Sequence, residues 1–119
     1  MWRRKLGDRG ERRAEAWLCR QGLRPVERNW SCRHGEIDLV MRDGEVLVFV
    51  EVRLRTPRGF ASGAESVDWH KQRRLAQAAS VFLARHPEFQ QAPCRFDVIG
   101  IAGTDGQLDW IRDAFEADA

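Results

Sequence analysis

The chain has 119 residues, of which 43% are hydrophobic and 32% are charged, and its formal net charge is +2. This length predicts one domain, residues 1–119, and the composition fits a soluble globular protein with an ordinary core. No apolar stretch follows the basic amino terminus as in a signal peptide, and no window approaches a membrane span. We therefore expect a cytoplasmic protein that does not act at a membrane.

Charge is distributed unevenly along the chain. Residues 1–24 carry eight Lys or Arg against three Asp or Glu, whereas residues 103–119 carry one Arg against five acids. A basic region favours a polyanionic partner, although a merely solvated surface also explains the amino terminus.

Cys19, Cys32 and Cys94 are widely spaced and form no CxxC pair. This spacing argues against a disulfide framework and against a structural zinc site. Cys32 and His34 have ligand chemistry, but no second Cys/His pair completes a site with them.

The first predicted element is a helix from about Gly7 to Gln21, ended by Gly22. Its apolar side is formed by Leu6, Ala14, Trp17 and Leu18. Glu11 lies one turn before Ala14, so its side chain either leans towards a neighbouring sheet or, as the periodicity favours, remains a surface charge. A short strand over Leu23–Trp30 and a polar connection over Ser31–His34 follow.

Two strand-like runs between residues 35 and 55 are joined by Asp43-Gly44, a strong hairpin signal. A two-residue turn at this point would pair Arg42 with Glu45. One face of the hairpin is then wholly aliphatic, formed by Ile37, Leu39, Met41, Val46, Val48, Val50 and Val52. The other face is acidic far from the turn and apolar near it, which indicates internal strands covered on both faces.

The acidic end of this hairpin holds Glu36, Asp38, Glu51 and Arg53 on one face. In the predicted register Asp38 lies opposite Phe49 and diagonal to Glu51, with Cβ atoms roughly 7–8 Å apart or less. Both carboxylates could then reach one divalent cation, which would relieve the repulsion between like charges. The alternative is that Glu36 is solvated and that Glu51 pairs with Arg53 or with Arg55.

Beyond the hairpin, residues 56–64 are rich in Gly and Pro and predict a mobile loop at the mouth of the site. A second helix is predicted from about Val67 to Arg85, with Leu75, Ala78, Ala79, Phe82 and Leu83 as its buried stripe. Cys94–Ala102 is predicted as a strand in which Asp97 is a hydrogen-bonded structural acid. A turn over residues 103–106 leads to a last short strand over Leu108–Ile111.

The order of these elements is αβββαβ with a final edge strand, which predicts an α/β fold. Asp38 followed by Glu51-Val52-Arg53 resembles the PD-(D/E)xK nuclease signature, and the element order is similar to the restriction-endonuclease-like core. More specifically, nearly the whole chain looks like the YraN family of small bacterial proteins. The motifs that carry this resemblance are Gly10-Glu11 with Ala14, Asn29, residues 35–39, residues 49–52, Lys71 and Phe96-Asp97.

The resemblance implies a restriction-endonuclease-like αβββαβ core, with a mixed sheet and helices on both faces. It also implies a metal-dependent nuclease acting on DNA, with structured or branched DNA as plausible as plain duplex. Asp38, Glu51 and the Val52 carbonyl would hold Mg²⁺ or Mn²⁺, with Glu36 or Glu11 as an additional acid. The residues expected to contact phosphates are Arg53, Arg55, Arg58, Lys71, Arg73 and Arg74.

The chain departs from the family at Arg53, where the motif usually has Lys. Arg can clamp a phosphate but does not lose a proton as a base. Three outcomes stay open: Arg53 acts as an electrostatic stabiliser, Lys71 reaches in from the helix as the missing lysine, or the site binds nucleic acid without cutting it. The last outcome corresponds to an alternative function, a nucleic-acid-binding module with lost catalysis that acts in recombination or DNA uptake.

Two further expectations concern partners. Many enzymes with this fold dimerise, but no residue pattern here decides whether this chain forms a homodimer. The five tryptophans are predicted as core and edge residues, and Trp69, beside Lys71, is the one that could stack on a base.

Overall fold

A computed structural model of the protein describes residues 2–55, 67–102 and 107–116, with side chains from residue 9 to residue 54 in the first range. The helices are α1 (Trp2–Arg20) and α2 (Trp69–Arg85), and a 3₁₀ turn (Pro87–Phe89) follows α2. The strands are β1 (Arg24–Cys32), β2 (Gly35–Asp43), β3 (Val46–Arg55), β4 (Cys94–Ala102) and β5 (Leu108–Phe115). The predicted loop over 56–64, which includes Arg58, and the predicted turn over 103–106 lie outside the described residues.

The five strands form one sheet in the order β1-β2-β3-β4-β5. β3 and β4 are parallel, and the other neighbouring pairs are antiparallel. The predicted α/β class, with an αβββαβ-type core and a mixed sheet, is confirmed. None of the helices in the described ranges is long and apolar enough to cross a membrane.

The two helices cover opposite faces of the sheet, as the alternation along β3 requires. Val48 and Val50 pack with α1, in a cluster with Ala14, Leu18, Leu23, Leu39, Met41, Ile99 and Ile101. Leu47 and Phe49 pack with α2, in a cluster with Ile37, Val40, Val67, Leu75, Ala78, Ala79, Phe82, Phe96, Val98 and Phe115. β3 is therefore covered on both faces, as its continuous apolar run predicted.

Several element ends differ from the predicted ones. α1 begins at Trp2 rather than near Gly7, and β5 continues to Phe115 rather than ending near Ile111. α2 begins at Trp69, two residues after the predicted start, because Asp68 caps it. The Asp68 carboxylate accepts a hydrogen bond of 2.8 Å from the backbone N–H of Lys71.

The predicted hairpin register is wrong by two positions. Asp43 pairs with Val46, and Leu39 pairs with Val50, so the two turn residues are Gly44 and Glu45. Gly44 has a φ of +62°, which suits the first central position of a type II′ turn. Because the shift is an even number, it leaves the facing of the paired residues, Leu39 to Asp43 and Val46 to Val50, unchanged even though their partners differ.

Ile37 is a second correction, because it packs with the α2 cluster and not with the aliphatic residues that face α1. Along β1, Arg28 pairs with Leu39 and Trp30 pairs with Ile37, with Asn29 between them in a left-handed conformation at φ +54°. The alternation along β2 is thus interrupted between Ile37 and Leu39, at the position opposite Asn29, and both Trp30 and Ile37 pack with the α2 cluster.

Asp97 is the buried structural acid that the sequence predicted. It is 1% exposed and accepts hydrogen bonds from Arg95 Nε at 3.0 Å, Trp110 Nε1 at 2.9 Å and the backbone N–H of Asp113 at 2.9 Å. Asp113 has a positive φ of 51°, so this last bond fixes an irregular point of β5. The carboxylate thus joins β4 to the edge strand.

Asp97→Asn is expected to lower the free energy of unfolding by about 2–3 kcal/mol, because it removes a charge from a buried network whose donors then lack full partners. Urea unfolding should show a lower midpoint with an unchanged slope. The matched control is Glu116→Gln at an exposed position of the same end of the sheet. Equal midpoints for the two variants would contradict this account of Asp97.

Candidate functional site

β2 and β3 separate at the end of the hairpin far from the turn. Their paired ladder ends at Leu39 and Val50. Beyond that pair, a side chain replaces a ladder bond: the Asp38 carboxylate accepts a hydrogen bond of 2.8 Å from the backbone N–H of Val52. The corrected register brings Asp38 level with Glu51 rather than diagonal to it, so the two carboxyl groups approach more closely than predicted.

Three acidic side chains from three elements meet at this point, and we call them the acidic triad: Glu11 of α1, Asp38 of β2 and Glu51 of β3. The carboxyl groups of Glu11 and Glu51 both lie close enough to Asp38 to shift its pKa. Glu11 and Glu51 are 8% and 4% exposed. Glu11 therefore leans towards the sheet, and the favoured expectation of a surface charge is wrong.

Burial is the main influence on the pKa values of Asp38 and Glu51. Desolvation raises the pKa of Asp38, and the negative charge of Glu11 adds to this, whereas the hydrogen bonds from Glu51 and Val52 oppose it. Desolvation, followed by the hydrogen bond and the charge of Asp38, raises the pKa of Glu51 to about 8. Because the pKa values of both carboxyl groups are raised, the pair holds a proton more tightly than two exposed acids would.

Lys71 supplies the positive charge that contacts the triad. Its Nζ lies 2.6 Å from Oε2 of Glu51, in an ion pair whose angles fall short of a hydrogen bond. This cation opposes the effect of burial and lowers the pKa of Glu51. Since Lys71 follows the Asp68 cap within the first turn of α2, the cap fixes the backbone from which the lysine reaches the site.

Asp38, Glu51 and Lys71 line an open cleft of about 510 Å³. The remaining lining residues are Cys32, Arg33, His34, Gly35, Glu36, Arg74 and Leu75. Among the charged residues of this lining, Glu51 is buried and Asp38 is half-buried, whereas Arg33, Glu36 and Arg74 are exposed. This combination suits an anionic ligand that binds together with a metal cation.

The other predicted residues lie in different places. Glu36 is exposed at the rim, so the acid that touches Asp38 is Glu11. Arg53 is half-buried and is not among the described residues that line the cleft. Arg73 is exposed on α2, and the side chains of Arg55 and Arg58 lie outside the described residues.

The donor set decides which metal ion the site could hold. Within the described ranges, no three His, Cys, Asp or Glu side chains are arranged to hold a metal by themselves, so Cys32 and His34 complete no such site. Asp38 and Glu51 nevertheless offer hard carboxylate oxygens side by side. Mg²⁺ is usually bound through one or two carboxylates together with water and substrate phosphates. The pair therefore fits Mg²⁺ or Mn²⁺ as a site that a phosphate ligand completes.

Sequence reasoning named all three members of the triad and Lys71, but it did not bring Glu11 into contact with Asp38. The helical period alone placed Glu11 beside the apolar stripe of α1, and only the packing of α1 on the sheet turns it inwards. Next to Glu11, a Cβ atom added at Gly10 would lie 3.5 Å from Ile101 and 3.8 Å from Val52, which are ordinary van der Waals distances. α1 therefore packs against β3 and β4 at this point, but the packing does not require a glycine there.

Three relatives illustrate what the chain resembles. It is 50% identical over 119 residues to a UPF0102 protein of Alcanivorax borkumensis, covering 98% of this chain and 95% of that protein. It is 53% identical over 116 residues to one of Xanthomonas oryzae pv. oryzae, with the same coverage, 98% and 95%. It is 55% identical over 113 residues to one of Alkalilimnicola ehrlichii, covering 95% and 88%.

These relatives are bacterial proteins of nearly the same length, which agrees with the expected resemblance to small bacterial proteins. The model of the family described as "Uncharacterised protein family UPF0102" matches residues 10–101, a range that contains the whole acidic triad and Lys71. The chain belongs to the UPF0102 family.

Proposed function

We propose that the protein is a metal-dependent nuclease of the PD-(D/E)xK type, which hydrolyses phosphodiester bonds in DNA. The observation that carries this proposal is the pair formed by half-buried Asp38 and buried Glu51, which interact with each other beside Lys71 in the lining of an open cleft. The pKa of Glu51 is raised to about 8, which means that an ionised Glu51 destabilises the folded protein. Strongly shifted pKa values are concentrated at functional sites.

In the proposed site, Asp38, Glu51 and the Val52 carbonyl hold Mg²⁺ or Mn²⁺. When bound, the ion would polarise the phosphoryl group and lower the pKa of the attacking water. The Val52 N–H and the Glu11 carboxyl both hold the Asp38 side chain by hydrogen bonds and so fix its orientation. Glu11 is thus a positioning residue for Asp38.

In the PD-(D/E)xK motif a lysine follows the second acid by two residues, at the position of Arg53. In this proposal Lys71 replaces that lysine. Its ammonium group touches Glu51 from α2, so it can stabilise negative charge that develops on a phosphate in the cleft. Arg74 on the rim and Arg73 beside it carry charges that bind phosphates. Since phosphate contacts contain little sequence information, we expect weak sequence preference and binding that weakens steeply with salt.

The experiment is cleavage of labelled single-stranded, duplex, flapped and four-way-junction DNA in Mg²⁺, Mn²⁺ or EDTA. Wild type should cut at least one substrate with either metal and none in EDTA, and Asp38→Ala should lose cutting on all of them. Glu27→Ala, at an exposed position of β1, is the matched acidic control and should cut like wild type. Absence of metal-dependent cutting on every substrate would refute the nuclease.

The alternative function is a nucleic-acid-binding module that has kept the nuclease fold and lost catalysis, acting in recombination or DNA uptake. One observation favours it, the presence of Arg53 at the motif's lysine position. The same panel separates the two functions. Binding without cutting in wild type, with cutting gained in Arg53→Lys, would support the module over the nuclease.

A further inference from the structure

The turn between β1 and β2 lies beside the acidic residues of the cleft. It consists of Arg33 and His34, and the next residue, Gly35, has a φ of +146°. A positive φ favours glycine, so the unusual backbone of this turn falls on Gly35 and not on the two residues with long side chains. Arg33 lines the same cleft as Asp38 and Glu51. The turn therefore places an arginine at the proposed catalytic site.

The Arg33 side chain is not engaged by the protein itself. It is exposed, and it forms no ion pair with any residue that the structure describes. Lys71 differs, because its Nζ lies 2.6 Å from Oε2 of Glu51. Arg33 shares the cleft lining with three acids and pairs with none of them, so its guanidinium donors remain available to a ligand.

The charges of the cleft lining indicate the sign of that ligand. Three side chains are cationic, namely Arg33, Lys71 and Arg74, and three are anionic, namely Glu36, Asp38 and Glu51. With every carboxyl group ionised, these charges cancel. A divalent ion held by Asp38 and Glu51, as proposed above, would leave the lining with an excess of positive charge. The cationic side chains then suit an anionic ligand.

The cleft has room for more than one phosphate group. Its volume of about 510 Å³ lies within the range of clefts that bind drug-sized molecules. Arg33 belongs to the β1–β2 turn, whereas Lys71 and Arg74 belong to α2. The cations thus come from two different elements. Such an arrangement suits a chain of phosphates better than it suits a single one.

We propose that Arg33 binds a backbone phosphate next to the one held at Asp38 and Glu51, and that Arg74 binds a different phosphate of the same strand. Arg33 thereby fixes where the strand lies in the cleft. A guanidinium group suits this role because its planar fork can donate two parallel hydrogen bonds to one phosphate. The ligand is then a nucleic-acid strand and not a mononucleotide. The inference rests on the proposed nuclease function.

The first test measures affinity for a labelled single-stranded DNA and a duplex by fluorescence anisotropy, at several salt concentrations, in EDTA and in Ca²⁺. Arg33→Gln is expected to bind both DNAs about tenfold more weakly than wild type, because a charge-assisted hydrogen bond is lost. The slope of log affinity against log salt should become shallower by roughly 0.7–0.9, the contribution of one phosphate contact. Arg33→Lys should keep the slope and lose only part of the affinity.

The matched control is Arg24→Gln, which removes the same charge from an exposed position at the other end of β1. It should match wild type in affinity and in salt slope. Wild-type behaviour of Arg33→Gln, or an equal loss in Arg24→Gln, would overturn the proposal. A mononucleotide should compete equally well for wild type and for Arg33→Gln. A loss for the mononucleotide as large as the loss for the strand would assign Arg33 to a single-phosphate ligand and overturn the strand contact.

A second test locates the contact along the strand. Single phosphates are replaced, one at a time, by uncharged methylphosphonates. Replacing the phosphate that Arg33 binds should weaken binding by wild type but should not weaken Arg33→Gln further, because that contact is already absent. Arg74→Gln should show the same behaviour at another phosphate. A scan in which no phosphate behaves in this way for Arg33→Gln would contradict the contact.

These outcomes are distinct from a failure of the nuclease proposal. In Mg²⁺, Arg33→Gln should cut more slowly than wild type at limiting protein, and saturating protein should restore most of the rate. If wild type cuts DNA but Arg33→Gln binds it normally, the nuclease stands and the Arg33 contact is wrong. If wild type neither binds nor cuts DNA, the proposed function fails and the Arg33 contact fails with it.

Discussion

Lys71→Ala should lower the rate of DNA cleavage by about 10²–10³-fold, the usual effect of removing one group that stabilises developing charge in a transition state. Lys71 Nζ touches Glu51, whereas Arg53 is not among the described residues that line the cleft. Arg53→Ala should therefore cost about tenfold or less, through weaker phosphate binding. Single-turnover cleavage at saturating protein measures the chemical step apart from binding.

Lys71→Arg is the informative companion, because it keeps the charge but changes the shape of the cation. It should recover part of the rate that alanine loses. Circular dichroism and thermal unfolding show whether each variant is folded, and the half-exposed position of Lys71 makes a folding defect easy to detect separately. A larger loss of cleavage rate in Arg53→Ala than in Lys71→Ala would show that Arg53, and not Lys71, stabilises the developing charge.

Glu51→Gln should abolish metal-dependent cutting and at the same time stabilise the protein. Because burial and Asp38 raise the pKa of Glu51 to about 8 from an ordinary value of 4.5, the folded protein holds a proton that the unfolded chain releases. Gln imitates the protonated acid and can still donate to Asp38. Its gain in free energy of unfolding should be a few kcal/mol above pH 8, with about 5 kcal/mol as the upper limit set by a shift from 4.5 to about 8, since each pKa unit corresponds to about 1.4 kcal/mol.

The sign of the pH dependence follows from the raised pKa. Below pH 4.5 Glu51 is protonated in both folded and unfolded chains, so Glu51→Gln and wild type should be equally stable there. As the pH rises from 4.5 to 8, the unfolded chain loses the proton and the folded protein does not, so the stability of wild type falls relative to the variant. Above pH 8 the difference should be constant.

Urea unfolding in EDTA at several pH values measures this difference, and EDTA removes any contribution from bound metal. Glu27→Gln, at an exposed position, is the control and should match wild type throughout. A Glu51→Gln variant that is less stable than wild type at pH 8 would show that the carboxylate is ionised and well paired by Lys71 in the folded protein.

Much of the fold followed from local patterns. Alternation along residues 46–52 predicted a strand covered on both faces, and both helices were found from their apolar stripes. The facing of the residues from Leu39 to Met41 and from Leu47 to Val50 was predicted although the register was wrong, because a shift of two residues preserves the period of a strand. The buried role of Asp97 was also predicted, since a single acid in an apolar run needs hydrogen-bond partners.

Only the tertiary structure decided which groups meet at the site. The turn at Gly44-Glu45 set the register of the hairpin, and Ile37 packs on the α2 face opposite an irregular point of β1 at Asn29. The hydrophobic pattern fixes neither feature. Glu11 and Lys71 are distant from the hairpin in sequence, and they reach Asp38 and Glu51 because α1 and α2 pack on opposite faces of the sheet. The sequence by itself determined the elements and the acids of the hairpin, because period and residue type are local properties. The contacts among those acids and the lysine depend on how distant elements pack, which no local pattern contains.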